Sequence, residues 1–108
     1  MINPEDAEKS LDYLRRTAVQ MERLVLNEKE ATRKSKYQMA LAIIRMGNAN
    51  GEKIPATVRK EHAWGDKDVQ EALKQEDEAA AKRIGVDAQR DAAKTTISLY
   101  QSMVKDRM

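Results

Sequence analysis

Between Pro4 and Gly47 this chain carries no glycine and no proline, so nothing in its first half interrupts a helix. Asn3 is a favoured N-cap, Pro4 suits the first helical position, and Glu5 and Asp6 complement the positive end of the helix dipole. Apolar residues then recur at Leu11, Leu14, Ala18, Met21 and Val25, in the alternating steps of three and four that mark a heptad. The pattern fails at Glu28, Thr32 and Ser35. It resumes at Met39, Ala42 and Met46, with Tyr37, Ala40, Leu41 and Ile44 widening the far end. Residues 27–36 are therefore polar nearly all round. A helix with no apolar stripe has to be held by partner helices, by exposed ion pairs or by a ligand. At 1.5 Å per residue, a helix over 4–46 runs roughly 65 Å.

Gly47-Asn48-Ala49-Asn50-Gly51 reads as a turn cluster in which Gly47 terminates the first helix. An irregular arm follows. Pro55 disfavours helix at Ile54, Thr57 is placed to cap a short turn from Val58 to His62, and Trp64 is expected to anchor the arm against Tyr37–Met46. Asp66 caps a second helix reaching Val104, with apolar positions at Val69, Leu73, Ala80, Ala81, Ile84, Ala88, Ala92, Thr95, Leu99 and Met103. Ile97, Tyr100 and Val104 widen its last turns. Gly85 sits mid-helix at a cost of about 1 kcal/mol relative to Ala, and reads as a kink or a close helix–helix approach. The predicted fold class is all-α. It is a single domain, a long antiparallel helical hairpin with a Gly/Asn-rich tip and an irregular connecting arm (helix 4–46, arm 47–65, helix 66–104). Two helices share one seam and bury little, so the hairpin is expected to form a homo-oligomer. Leu11, Leu14, Met21, Val25, Ile84, Leu99, Tyr100 and Met103 are the expected packing and oligomer residues.

Charge narrows the function. Charged residues make up 35% of the chain and aromatics 4%, and the net charge is only +2. Residues 13–46 nevertheless hold eight cations against three anions, while 66–78 hold six anions against two cations. Arg23, Lys29, Arg33, Lys34 and Lys36 form a candidate nucleic-acid-binding face, and Arg59 with Lys60 a second, weaker patch. Such residues contact phosphates regardless of sequence, and an oligomer multiplies few contacts by avidity. Base stacking is poorly provided for, since Tyr37 is the one aromatic near that face. The competing reading is a merely solvated face, or one neutralised by Glu71–Glu78 in a simple hairpin.

Nothing in the sequence assembles a catalytic or metal site. His62 is the single histidine and cysteine is absent, which leaves no second soft ligand. The carboxylate pairs lack the calcium-loop glycine spacing, and neither Gly47 nor Gly51 precedes a Lys-Ser/Thr pair. The chain reads as a non-enzyme without cofactor or metal. The N-terminus lacks a basic-then-apolar leader, the longest apolar run (Met39–Ile44) is too short for a membrane span, and thiols are absent; a cytoplasmic protein is expected.

Trp64-Gly65 between two helices invites comparison with the small secreted hairpins of the WXG family. That motif is not met, because no residue separates Trp64 from Gly65 and Val104, not an acid, stands four positions after Tyr100. The layout is closer to another family. A charged, apolar-poor first helix, a Gly/Asn tip, an irregular arm and the start Asp66-Lys67-Asp68-Val69 of the second helix resemble the UvsY-like recombination mediator proteins of T-even phages, with looser likeness over Tyr37–Ile44. The resemblance spans most of the chain, which is short at both ends for that family. It implies a ring-forming hairpin that binds single-stranded DNA and helps load a recombinase onto strands coated by single-stranded-DNA-binding protein, in the host cytoplasm if phage-encoded. The alternative class is a helical protein–protein adaptor or a phage assembly or scaffold-type protein. A small duplex-DNA binder is a third, but no helix-turn-helix spacing is visible.

Overall fold

A computed structural model of the protein describes residues 2–50 and 55–107. They form three helices, α1 (Pro4–Asn50), α2 (Ala56–Ala63) and α3 (Lys67–Asp106). Of the described residues 93% are helical and none is in a strand, and the two long helices pack against each other. No described helix is long and apolar enough to cross a membrane.

Both long helices begin where local chemistry dictates. The Asn3 side chain accepts from the Asp6 amide at 2.9 Å, and the Asp6 carboxylate accepts from the Asn3 amide at 3.3 Å, a reciprocal capping box. Asp66 Oδ1 accepts from the amides of Asp68 (2.9 Å) and Val69 (3.2 Å) and so starts α3. Gly47 does not end α1, which continues to Asn50. Gly47 adopts no left-handed cap conformation, and the mobile guanidinium end of Arg59 from α2 lies over it, 2.8 Å from where a Cβ would stand. The arm is more regular than expected: α2 already begins at Ala56, with Thr57 inside it and Pro55 at its N-cap position. The expected tip turn falls partly on residues 51–54, outside the described residues.

The chain divides into two compact units, one made of Met1–Val25 with Lys82–Met108, the other of Leu26–Ala81. In the second unit the core is Ala42, Ala63 and Val69, with Met39, Ile43 and Leu73 packed against it. Ala63, not Trp64, is the buried residue at that corner; Trp64 is 46% exposed. The apolar-poor stretch of α1 keeps the heptad phase and still faces inward here. Ser35 is buried, and its hydroxyl lies 2.9 Å from the Thr32 carbonyl oxygen and within hydrogen-bonding reach of the Glu76 carboxylate. Its single proton serves one acceptor at a time, the carboxylate being the stronger. Lys34 Nζ donates to Gln75 Oε1 at 3.1 Å. The missing apolar stripe is thus replaced by a polar layer shared between α1 and α3.

The first unit repeats that device. Thr17 and Ala93 are its buried residues. Arg90 Nη1 donates to the Leu14 carbonyl at 2.8 Å and to Thr17 Oγ1 at 2.6 Å, while Thr17 donates onward to the Tyr13 carbonyl at 2.7 Å. Tyr13 in turn donates to Gln89 at 2.7 Å. Within one chain the expected packing stripe of this unit is covered only in part. Leu14, Met21, Val25, Tyr100 and Met103 are partly buried, but Leu11, Ile84 and Leu99 are exposed, as are Ala88 and Ala92. The cause is geometric. Ile84, Ala88 and Ala92 follow one another in steps of four, and each such step turns about 40° around a helix of 3.6 residues per turn. The stripe therefore wanders off the seam, and Arg83, Val86, Arg90, Ala93 and Ile97 take the inward positions. Gly85 marks no close approach either: a Cβ there would meet nothing within 4 Å.

Candidate nucleic-acid interface

The buried Ser35 and Ala42 fix which side of α1 is spoken for in the second unit, and the opposite side carries its free charge. At 100° per residue, Lys29, Arg33 and Lys36 fall within about 60° of one another around the helix. All three are exposed. None makes an ion pair or hydrogen bond with any described residue, although Glu71, Glu76, Asp77 and Glu78 lie in the α3 segment of the same unit. The polar contacts that do join the two helices along this segment are Lys34 to Gln75 and Ser35 to Glu76, so the acidic start of α3 does not neutralise these three cations by contact. Anions in that segment meet a cation further along, where Arg45 lies 3.7 Å from Asp66 and 3.6 Å from Asp68.

The other candidate cations are placed differently. Lys34 lies about 140° around the helix from Lys29 and is engaged with Gln75. Arg23 is exposed but belongs to the other compact unit. The Arg59 guanidinium packs over Gly47, and its Nε is buried without a hydrogen-bond partner among the described residues. Lys60 alone of that pair is exposed, so the second patch reduces to a single lysine. Signals for these outcomes were present in part: Lys34 falls off the Lys29–Lys36 face by helical arithmetic, whereas the approach of Arg59 to Gly47 depends on how α2 packs.

The three-cation face has the charge to attract a polyanion. Tyr37, 62% exposed, is the neighbouring aromatic. Among the described residues no group of three His, Asp or Glu side chains is arranged to hold a metal ion. Comparison with known protein families, curated proteins and solved structures finds no match to this chain.

Proposed function

We propose that the protein is a non-enzymatic, self-associating accessory factor that binds single-stranded nucleic acid along α1, through Lys29, Arg33 and Lys36. One observation carries the reading: three exposed cations share one side of a helix and have no anionic partner among the described residues, although an acidic segment packs against that same helix. Fixed cations without partners release counterions when they meet phosphates, which gives affinity without sequence preference. With a single exposed tyrosine beside them, the backbone and not the bases is what the face would track. Arg23 and Lys60 are reserves at the margin.

The antiparallel hairpin belongs to the same proposal. Its support lies in the second unit, where Lys34 meets Gln75 and Arg45 meets Asp66, so that partner numbers fall as α1 numbers rise. The UvsY-like resemblance at Asp66–Val69 extends the reading to a recombination mediator acting in a host cytoplasm, with a recombinase and a single-stranded-DNA-binding protein as partners. A helical adaptor or assembly protein is the second reading, favoured by Leu26, Tyr37 and Ile44, which stand more than half exposed on the same side of α1.

Fluorescence anisotropy with a labelled single-stranded oligonucleotide at low salt separates the two. Reversal of Lys29, Arg33 and Lys36 to Glu abolishes binding, whereas reversal of the exposed Lys74, Lys82 and Lys105 on α3, an equal change in net charge, leaves most of it. Absence of binding by the native protein, or equal loss in both variants, sinks the proposal.

A further inference from the structure

The side of α1 opposite its buried seam carries a second heptad that no described residue covers. Leu26, Arg33 and Ala40 stand seven apart, and Glu30, Tyr37 and Ile44 stand seven apart between them, the alternation of two interfacial positions in a coiled coil. Leu26 is 60% exposed, Tyr37 62% and Ile44 57%, and Glu30, Arg33 and Ala40 are exposed as well. All six belong to the unit Leu26–Ala81. A lone apolar side chain at a surface needs no explanation, but Leu26, Tyr37 and Ile44 recur at heptad positions on one side of a helix, with a Glu30–Arg33 layer between them.

We infer that this face docks a second copy of the chain, antiparallel, about a two-fold axis passing between residues 31 and 32. The charges choose that arrangement. A parallel pair sets Arg33 against Arg33 and Glu30 against Glu30 of the two copies. An antiparallel pair that matches Leu26 with the partner's Ile44 sets Glu30 against an alanine. Only the register that pairs Leu26 with the partner's Tyr37 also pairs Glu30 with the partner's Arg33, and by symmetry repeats both pairs on the other side of the axis. Within one chain neither Glu30 nor Arg33 has an ion-pair or hydrogen-bond partner among the described residues, so both charges are available to it. Such buried or half-buried polar layers fix register and orientation in helix pairs.

The same register lays Lys29 along one rim beside the partner's Lys36, and the partner's Lys29 beside Lys36. Two copies therefore present one strip of four lysines, while Arg33 turns to the partner's Glu30, so that in the dimer Lys29 and Lys36 are the cations left for phosphate. These like charges oppose the pairing at low ionic strength, and they mark where a bridging polyanion would sit. The inference rests on the self-association in the proposed function and not on its nucleic-acid binding.

The chain has no cysteine, so single thiols report cleanly. Leu26→Cys and Tyr37→Cys variants are treated, separately and mixed, with a short bismaleimide in the absence of nucleic acid. The expected result is a cross-linked dimer in the mixture and little in either variant alone. Cross-linking of each variant with itself means a parallel pair, and a mixture of Leu26→Cys with Ile44→Cys that links better means the other register; both overturn the inference. So does the absence of cross-links in all mixtures. A charge exchange provides the second arm: in light scattering, Arg33→Glu and Glu30→Arg each weaken the dimer at least tenfold, and the double variant restores it. No restoration overturns the pairing. Repeating the cross-linking in a Lys29→Glu, Lys36→Glu background, where nucleic-acid binding is impaired but the Glu30–Arg33 layer is intact, keeps the two proposals separable.

Discussion

Gly85→Ala isolates one physical term in a helix that the chain otherwise keeps free of breakers. Gly85 lies inside α3, is exposed, and adopts no left-handed backbone conformation. An added methyl group there meets no atom within 4 Å. The substitution therefore gains helix propensity and reduces the freedom of the unfolded chain, with no packing cost to set against it, for a total of about 1 kcal/mol. Unfolding entropy of about 2.1 cal/mol/K per residue amounts to roughly 0.23 kcal/mol/K for a chain of this length, so Tm rises by about 4 °C. The assay is a circular-dichroism melt of both proteins at several matched concentrations, because self-association makes Tm concentration-dependent. An unchanged or lowered Tm refutes the reasoning. It would mean that something outside the chain packs on Gly85, and a loss that grows with protein concentration would identify that something as a second copy.

Three further outcomes follow from the polar layers and the caps. Ser35→Ala removes a buried hydroxyl bonded to a partly exposed carboxylate and costs about 1 kcal/mol in urea unfolding, since Glu76 can rehydrate. Arg90→Met keeps the aliphatic stem but loses two charge-assisted bonds, for about 2 kcal/mol; combined with Thr17→Val in a double-mutant cycle it shows a coupling of about 1 kcal/mol, and strict additivity contradicts the network. Asp66→Ala leaves the Asp68 and Val69 amides without their cap and costs about 1 kcal/mol, whereas Asp68→Ala, which loses only its exposed contact with Arg45, costs a few tenths; equal effects in thermal melts would show that the cap is not what matters.

What was legible in the sequence is what depends on neighbours in the chain. The caps at Asn3 and Asp66 need only residues three positions apart, and both formed as read. The inward phase of α1 was legible at Leu14, Met21, Ala42 and Met46, yet the buried threonine is Thr17 and not the apolar-seeming Ala18, because Arg90 reaches across to it. The C-terminal half of α3 was misread for a related reason. Apolar identity was followed from Ile84 to Leu99, while the seam there is filled by an arginine stem, small residues and hydrogen bonds, which binary patterning scores as surface. Gly47 was taken for a terminator, whereas α1 runs on past it to Asn50 with the Arg59 guanidinium lying over it. Of the basic face, Lys29, Arg33 and Lys36 were legible by helical spacing alone. Their lack of an acidic partner was not, since that depends on which α3 residues come opposite.

The most direct test of the proposed polyanion-binding face is the slope of log affinity for a single-stranded oligonucleotide against log salt concentration. Each phosphate contact to a single strand contributes about −0.7, so Lys29 and Lys36 of two paired copies predict a slope of about −3, shallower by about 1.4 with either Lys29→Gln or Lys36→Gln and little changed by Arg33→Gln. A flat salt dependence in the native protein, or a slope that the Lys29 and Lys36 substitutions leave unchanged, contradicts the account.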